Sequence, residues 1–232
     1  MGAAMSWGDI GAYAGAAFAV VWPLLGLGLL VHRLLRRKNL ASSPLAAHAA
    51  GQGWLFVPDD DSVLRQVGYT NTVIAVPFPG ACNVVRGQHE GEPFIAFEAY
   101  SKAERFAAEG ENEVKRTAVV ALAMPAPLPW LQICPENMLT RALSDVTFES
   151  EDFNRRFRVV AQDVRLAYDV LNPQNMERML RDPRYAELPL RFDGAWLWTW
   201  QFEDLGPDLI ADRLRFLSDT LAAVPAFVWG HR

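Results

Sequence analysis

Residues 82–100 read CNVVRGQHEGEPFIAFEAY, and this stretch decides the fold class. Cys82 to Arg86 and Pro93 to Tyr100 are apolar runs rich in valine and aromatic residues. Gly87-Gln88-His89-Glu90-Gly91 between them has the composition of a hairpin loop. Two strands joined by so short a connection can only pair antiparallel, because a parallel pair needs a crossover of a dozen residues or more.

Downstream, the same signal recurs. Thr117 to Met124, rich in Val, Ala and Leu, is expected as a buried strand, and Trp130 to Ile133 resumes the apolar pattern after Pro125, Pro127 and Pro129. Alternating prolines at that place predict a stiff turn between two strands, with a polyproline ligand as the other reading. Asp145 to Phe148 and Phe153 to Ala161 look like two more strands, with Phe153, Phe157 and Val159 on one face. A helix pair follows. Val164, Ala167, Tyr168 and Leu171 repeat at helical spacing, and Asn172-Pro173 supplies the cap and first-turn proline of a second helix that Pro183 ends. Leu188 to Phe192 and Ala195 to Phe202 read as a hairpin around Asp193-Gly194. Gly206-Pro207-Asp208 opens a last helix with Ile210, Leu214, Leu217 and Leu221 along one stripe.

Upstream, Trp54 to Val57 is a short apolar run closed by Pro58 and by Asp59, Asp60 and Asp61, which fit a solvated turn or helix start better than a metal site. Residues 39–53 are rich in Ala, Ser and Gly and read as a linker or a weak helix. The fold class expected is α+β. An antiparallel sheet or half-barrel of about seven or eight strands carries an inserted helix pair and a C-terminal helix, all in residues 54–232.

Residues 1–38 are of another kind. Ile10 to Val31 run for 22 positions without a charged side chain, and Arg33, Arg36, Arg37 and Lys38 follow. As a helix, 22 residues reach about 33 Å, enough for a hydrocarbon core of about 30 Å. A transmembrane anchor is therefore expected over residues 10–32, in contact with the lipid bilayer. The basic cluster marks the cytoplasmic side of the cell (inner) membrane, with the N-terminus outside. A signal peptide would carry its positive charge before the apolar run instead. Gly11 and Gly15, with Ala12 and Ala16 beside them, are spaced for close approach of two such helices, so self-association through this face is a further expectation.

Beyond residue 38 the chain holds 18 Lys and Arg against 26 Asp and Glu, a net charge of −8. An acidic domain repels nucleic acid at long range, so no nucleic-acid partner is expected. Cys82 and Cys134 sit apart in apolar settings and fit two reduced, buried thiols.

The chemistry-bearing residues form no recognisable catalytic pattern. His32, His48, His89 and His231 are not spaced for zinc, and there is no nucleophile elbow or phosphate loop, so no metal or cofactor is expected. The one binding candidate is Trp196, Trp198 and Trp200. Alternation sets all three indoles on one strand face, where they could floor a ligand pocket, dock a protein partner, meet lipid, or lie under the C-terminal helix stripe.

Residues 149–180 contain Glu149-Ser150, Phe153, Phe157-Arg158-Val159, Asp163, Ala167, Leu171-Asn172-Pro173 and Met176-Glu177. This series resembles that of a bacterial, actinobacterial-type family of membrane-anchored proteins built on a domain of unknown function. The resemblance implies a membrane-tethered domain and brings no catalytic residues. Read physically, the block packs a strand onto a helix, with Glu149 expected to pair with Arg155 or Arg156.

Two functions fit these observations: a membrane-tethered accessory or interaction domain on the cytoplasmic side, and an enzyme of unrecognised class acting near the membrane, such as a hydrolase of a lipid-soluble substrate. Orientation is directly testable. A reporter fused after Arg232 should be cytoplasmic, and neutralising Arg33, Arg36, Arg37 and Lys38 should loosen or invert the topology. A C-terminal tag cut by protease added outside intact cells would refute this orientation.

Overall fold

One long strand organises the sheet. β4, Arg116–Pro135, pairs with β3 (Glu92–Ser101) along its first half and with β5 (Phe157–Ala161) along its last five residues. β6, Leu190–Gln201, pairs with the same residues of β4 in both halves, so it occupies the opposite edge. β2 (Pro79–His89) and β1 (Leu55–Asp59) extend the sheet beyond β3, and every pairing is antiparallel. The computed structural model describes residues 44–69, 79–102, 116–136 and 146–230. The chain divides into two compact units, residues 1–44 and 45–232, and the described residues from Leu45 onward belong to the second. The protein is thus α+β, with six strands in one sheet among the described residues. No helix among those residues is long and apolar enough to cross a membrane, and the expected anchor over residues 10–32 lies outside them.

The expected hairpin is present with a tighter turn. β2 and β3 run on until His89 pairs with Glu92, leaving Glu90 and Gly91 as a two-residue loop. Both have positive φ, 53° and 91°. That is the turn whose twist matches the flanking strands.

Four expectations are corrected. The prolines do not separate two strands: β4 is continuous through Pro125, Pro127 and Pro129. Between the pairs Ala123↔Trp196 and Leu131↔Phe192, eight steps along β4 face four along β6. The prolines occupy this surplus, where β3 has left the edge after Leu122 and β5 has not yet joined at Leu131. Prolines lack the ladder donor and are tolerated at such a place. Nor do Asp193 and Gly194 turn a hairpin. β6 runs straight through them because both halves pair with the same β4, and Gly194, at φ 56°, sits at a bulge. The third correction concerns residues 151–156, which are helical (Glu151–Arg156) before β5 begins. Ser150 caps this helix by accepting from the Phe153 amide, with Glu151 and Asp152 in the first turn and Arg155 and Arg156 in the last. Residues 146–148 form no strand, although the Val146 amide donates to Val159 O. The two strand merges and this loss bring the strand count below the expected seven or eight.

The helix pair and the long C-terminal helix follow the sequence reading. In chain order they are α1 (Pro44–Gly51), α2 (Ser62–Gln66), α3 (Glu151–Arg156), α4 (Val164–Val170), α5 (Pro173–Arg181), α6 (Pro207–Ala223) and α7 (Ala226–Gly230). α1 lies in the stretch expected as a linker or weak helix and buries Leu45, Ala46 and Ala49. The Asp163 carboxylate accepts from the Arg165 and Leu166 amides, and Asn172 Oδ1 from the Asn175 amide, capping α4 and α5. α7 has no counterpart in the expected element order.

Two cores result, one on each sheet face. The larger gathers Leu122, Leu131, Phe192 and Leu197 under α4, α5 and α6, which contribute Leu166, Met179, Ile210, Leu214 and Leu217. The smaller joins Ile95, Phe97, Trp198 and Trp200 to Val63, Leu64, Val67 and Tyr69 from α2 and the turn after it. That turn passes very close to β6: a Cβ on Gly68, whose φ is 76°, would lie 2.6 Å from Asp193 Oδ2. Gly68→Ala should therefore cost about 1–2 kcal/mol from the left-handed backbone alone, with the clash against Asp193 added. Equilibrium denaturation checks this; an unchanged midpoint would refute the close packing of this turn on β6.

Candidate functional site

Trp196, Trp198 and Trp200 do share one face, but that face is not the one α6 covers. Trp198 is fully buried, Trp200 nearly so, and Trp196 half-buried at the margin of the smaller core. The α6 stripe packs on the Leu197 side instead. The expected helix cover over the tryptophans is thereby corrected: Val63, Leu64, Val67 and Tyr69 take that role. Trp198 lies 5.1 Å from Trp200 and 6.1 Å from Tyr69, ring centre to ring centre. Burial pushes the Tyr69 hydroxyl up to about 12, a hydrogen bond from Thr117 opposing it. Trp198 Nε1 is buried without a protein partner.

At the β5 end of the same face, Arg191 is 3% exposed. It donates from Nε and Nη2 to Asp193 Oδ2 at 3.0 and 2.8 Å, and from Nη1 to Gln132 Oε1 at 3.0 Å. Its guanidinium also stacks 4.9 Å from the centre of the Trp130 ring. This cation is neutralised and held, which suits a structural strut rather than a ligand hook. Cys134 beside it, and Cys82, are free buried thiols. Burial pushes both up to about 12, and for Cys82 the Glu98 carboxylate adds to the effect. Thiols so far from ionised at neutral pH are poor nucleophiles.

Sequence reasoning missed Glu98, a carboxylate only 1% exposed. Its Oε2 accepts from Asn83 Nδ2 at 2.9 Å and Arg116 Nη1 at 3.1 Å, and its Oε1 accepts from the Leu205 amide at 2.9 Å. Buried charge is tolerated when paired in this way. Glu98 thus ties β2, β3 and β4 to the segment entering α6. In the sequence it was hidden inside an apolar run, Phe94 to Tyr100; a charge in such a run was the available signal.

Where the helices meet, Ile133, Val170, Met179, Phe192 and Val224 line a cavity of about 20 Å³, room for about one water. Its polar neighbours are engaged with one another. Tyr185 Oη and Thr220 Oγ1 are 2.9 Å apart, and Asn175 Nδ2 donates to Val170 O and Ala223 O. Open grooves on either side are lined by charges that are largely paired, as Arg184 is with Asp182 and Asp219. Among the described residues, no three His, Cys, Asp or Glu converge as a metal site. Asp60 and Asp61 belong to the start of α2: Asp60 accepts from Ser62 and Arg86, while Asp61 accepts from the Ala81 amide and Lys102. Glu149 is not the partner of Arg155 or Arg156, which bind Asp152 and Leu180 O. Gly11, Gly15, Arg33, Arg36, Arg37 and Lys38 lie outside the described residues.

No family model and no curated protein matches this chain. Among solved structures, the mycobacterial trehalose monomycolate transport factor A, TtfA, is similar at a TM-score of 0.52 and 15% identity, over 82% of this chain and 94% of that one. This chain therefore shares its fold with a transport factor.

Three substitutions test the two cores' supports. Trp198→Ala should cost about 3–5 kcal/mol by cavity formation. Glu98→Leu should cost a similar amount, about 3–5 kcal/mol, because Arg116, Asn83 and the Leu205 amide lose their acceptor. Arg116→Ala should cost at least as much, since it leaves the Glu98 carboxylate buried without its cation. Chemical denaturation of the three variants checks the order, and a near-wild-type Glu98→Leu would remove Glu98 as the tie.

Proposed function

We propose that this protein is a membrane-tethered accessory factor in the movement of a lipid, acting by binding rather than by chemistry. The observation that carries the reading is the fold it shares with a transport factor over most of both chains. Two features of the molecule support it. The apolar run from Ile10 to Val31, followed by four basic residues, suits a tether that holds the sheet domain at the inner face of the membrane. Within the domain, three buried ionisable side chains are held in structural bonds: Arg191 by Asp193 and Gln132, Glu98 by Arg116 and Leu205, Tyr185 by Thr220. General acid–base chemistry needs such groups within reach of a substrate.

Loss of the protein is then expected to change where an envelope lipid resides. Cells lacking it should show an extractable lipid class redistributed between inner-membrane and outer envelope fractions. The full chain should restore the distribution, and a chain without residues 10–31 should not. An unaltered lipid profile in the deletion strain, by radiolabelled chromatography of both fractions, would sink the proposal.

A further inference from the structure

From Asn39 to Pro58 the chain carries no Asp, Glu, Lys or Arg, although 21% of its residues are charged and a stretch of 20 would ordinarily hold about four. The described part of this stretch is folded and reaches the surface. α1 buries Leu45, Ala46 and Ala49 and leaves Pro44, Ala47, Ala50 and Gly51 exposed. A surface helix ordinarily turns charged and polar side chains outward; α1 turns out only small, uncharged ones. The Trp54 amide then donates to Ala49 O at 2.8 Å, which keeps the start of β1 beside α1. Leu55, the first residue of β1, is 58% exposed. It is held firmly, because Trp54 packs edge-on against Phe94, ring centres 4.9 Å apart, and lies so close to Gly87 that a Cβ there would overlap its ring.

One leucine and a few alanines offer too little apolar area to hold a free protein on a bilayer. Where the chain comes from decides the occupant. Lys38 closes the basic cluster after the apolar run, and Pro44 is six residues further on. Six residues span at most about 20 Å when fully extended. A tether over residues 10–31 therefore keeps the start of α1 within that reach of the headgroups the cluster marks. Tethering makes the second contact intramolecular, so a weak surface suffices. The domain is acidic and the cytoplasmic leaflet anionic, and an uncharged face is the one that approaches at least cost. Asp60 and Asp61 are paired with Arg86 and Lys102. Asp59, at the far end of β1, is about 13 Å from Leu55 at the rise of a strand, and Glu90 is about 10 Å past Gly87. Interfacial insertion reaches only about 5–10 Å, so Leu55 enters without carrying these carboxylates along.

We propose that the α1–β1 surface is a membrane-docking face, with Leu55 inserted among the lipid headgroups and the solvent side of α1 lying along them. The proposal rests on the tethered reading of the protein and adds to it the surface that meets the lipid. The test uses the full-length chain in vesicles of phosphatidylcholine with a minor share of phosphatidylglycerol, with or without a headgroup spin label. A nitrobenzoxadiazole fluorophore is attached at Leu55→Cys, at Ala47→Cys or, on the opposite edge of the sheet, at Phe202→Cys; Cys82 and Cys134 are buried and do not compete for it. Spin-labelled lipid should remove most of the fluorescence at positions 55 and 47 and little at position 202. Leu55→Asp, a change at an exposed site, should leave the melting temperature unaltered and abolish the quenching at position 47.

Equal quenching at all three positions, or none at 55 and 47 in a chain that floats with the vesicles, would overturn the docking face and leave the tether standing. A blue-shifted emission at position 55 that spin-labelled lipid does not quench would mean that protein covers the face, a second copy or a partner, and would overturn it as well. Quenching at position 47 that survives Leu55→Asp would remove Leu55 as the anchor. A chain that fails to float would remove the tether and this proposal with it.

Discussion

The ladder between β4 and β6 is the constraint on which the rest of the domain depends. In any strand, side chains alternate between faces, so one inserted residue exchanges every subsequent side chain from one face to the other. Along β4 the larger core takes Ala118, Val120, Leu122, Met124 and Leu128, then Leu131 and Ile133. The alternation shifts by one between Leu128 and Leu131. Along β6 it takes Leu190 and Phe192, then Leu197, so the alternation shifts there too, around Gly194. The two shifts face each other, and both halves of the ladder keep their apolar sides on the same sheet faces. A shift in one strand alone would bury Arg191 under the helices and expose Phe192.

That compensation explains what was legible in the sequence and what was not. The β2–β3 hairpin, the two capped helices and α6 each rest on contacts within about a dozen residues, and local pattern suffices for those. The prolines of β4 and the Asp193-Gly194 pair are also local signals, and they read as turns because each is a turn signal in isolation. Their identity as facing bulges is a property of two segments about 65 residues apart in sequence, visible only once both strands have found each other. The helix at Glu151 failed for a different reason. Phe153 and Phe157 are spaced for a helical face, yet Phe157 and Val159 are spaced for a strand, and the element changes type between them.

The tryptophan stripe shows the same limit at the level of a site. Alternation correctly put Trp196, Trp198 and Trp200 on one face, but which element covers that face depends on which side of the sheet it is. The shift at Gly194 puts Leu197, not the tryptophans, under α6. The stripe is then available to α2 and Tyr69, which no local pattern brings there. Glu98 was missed for the converse reason: its partners come from β2, β4 and the entrance to α6, three places that local pattern does not connect.

The same economy governs the buried charges. Marginal stability leaves little room for buried charge without a return, and Arg191 and Glu98 are the two most buried charged side chains among the described residues. Each is paired within the domain, Arg191 with Asp193 and Gln132, and Glu98 with Arg116, Asn83 and the Leu205 amide. Arg191 locks the bulge that lets β6 stay continuous, and Glu98 fixes the point where β6 hands over to α6. Charge used in this way favours one rigid geometry of the sheet and of the segments leaving it. Arg191 and Glu98 thus commit the domain's most buried charges to the geometry of β6, one at its bulge and one where it hands over to α6.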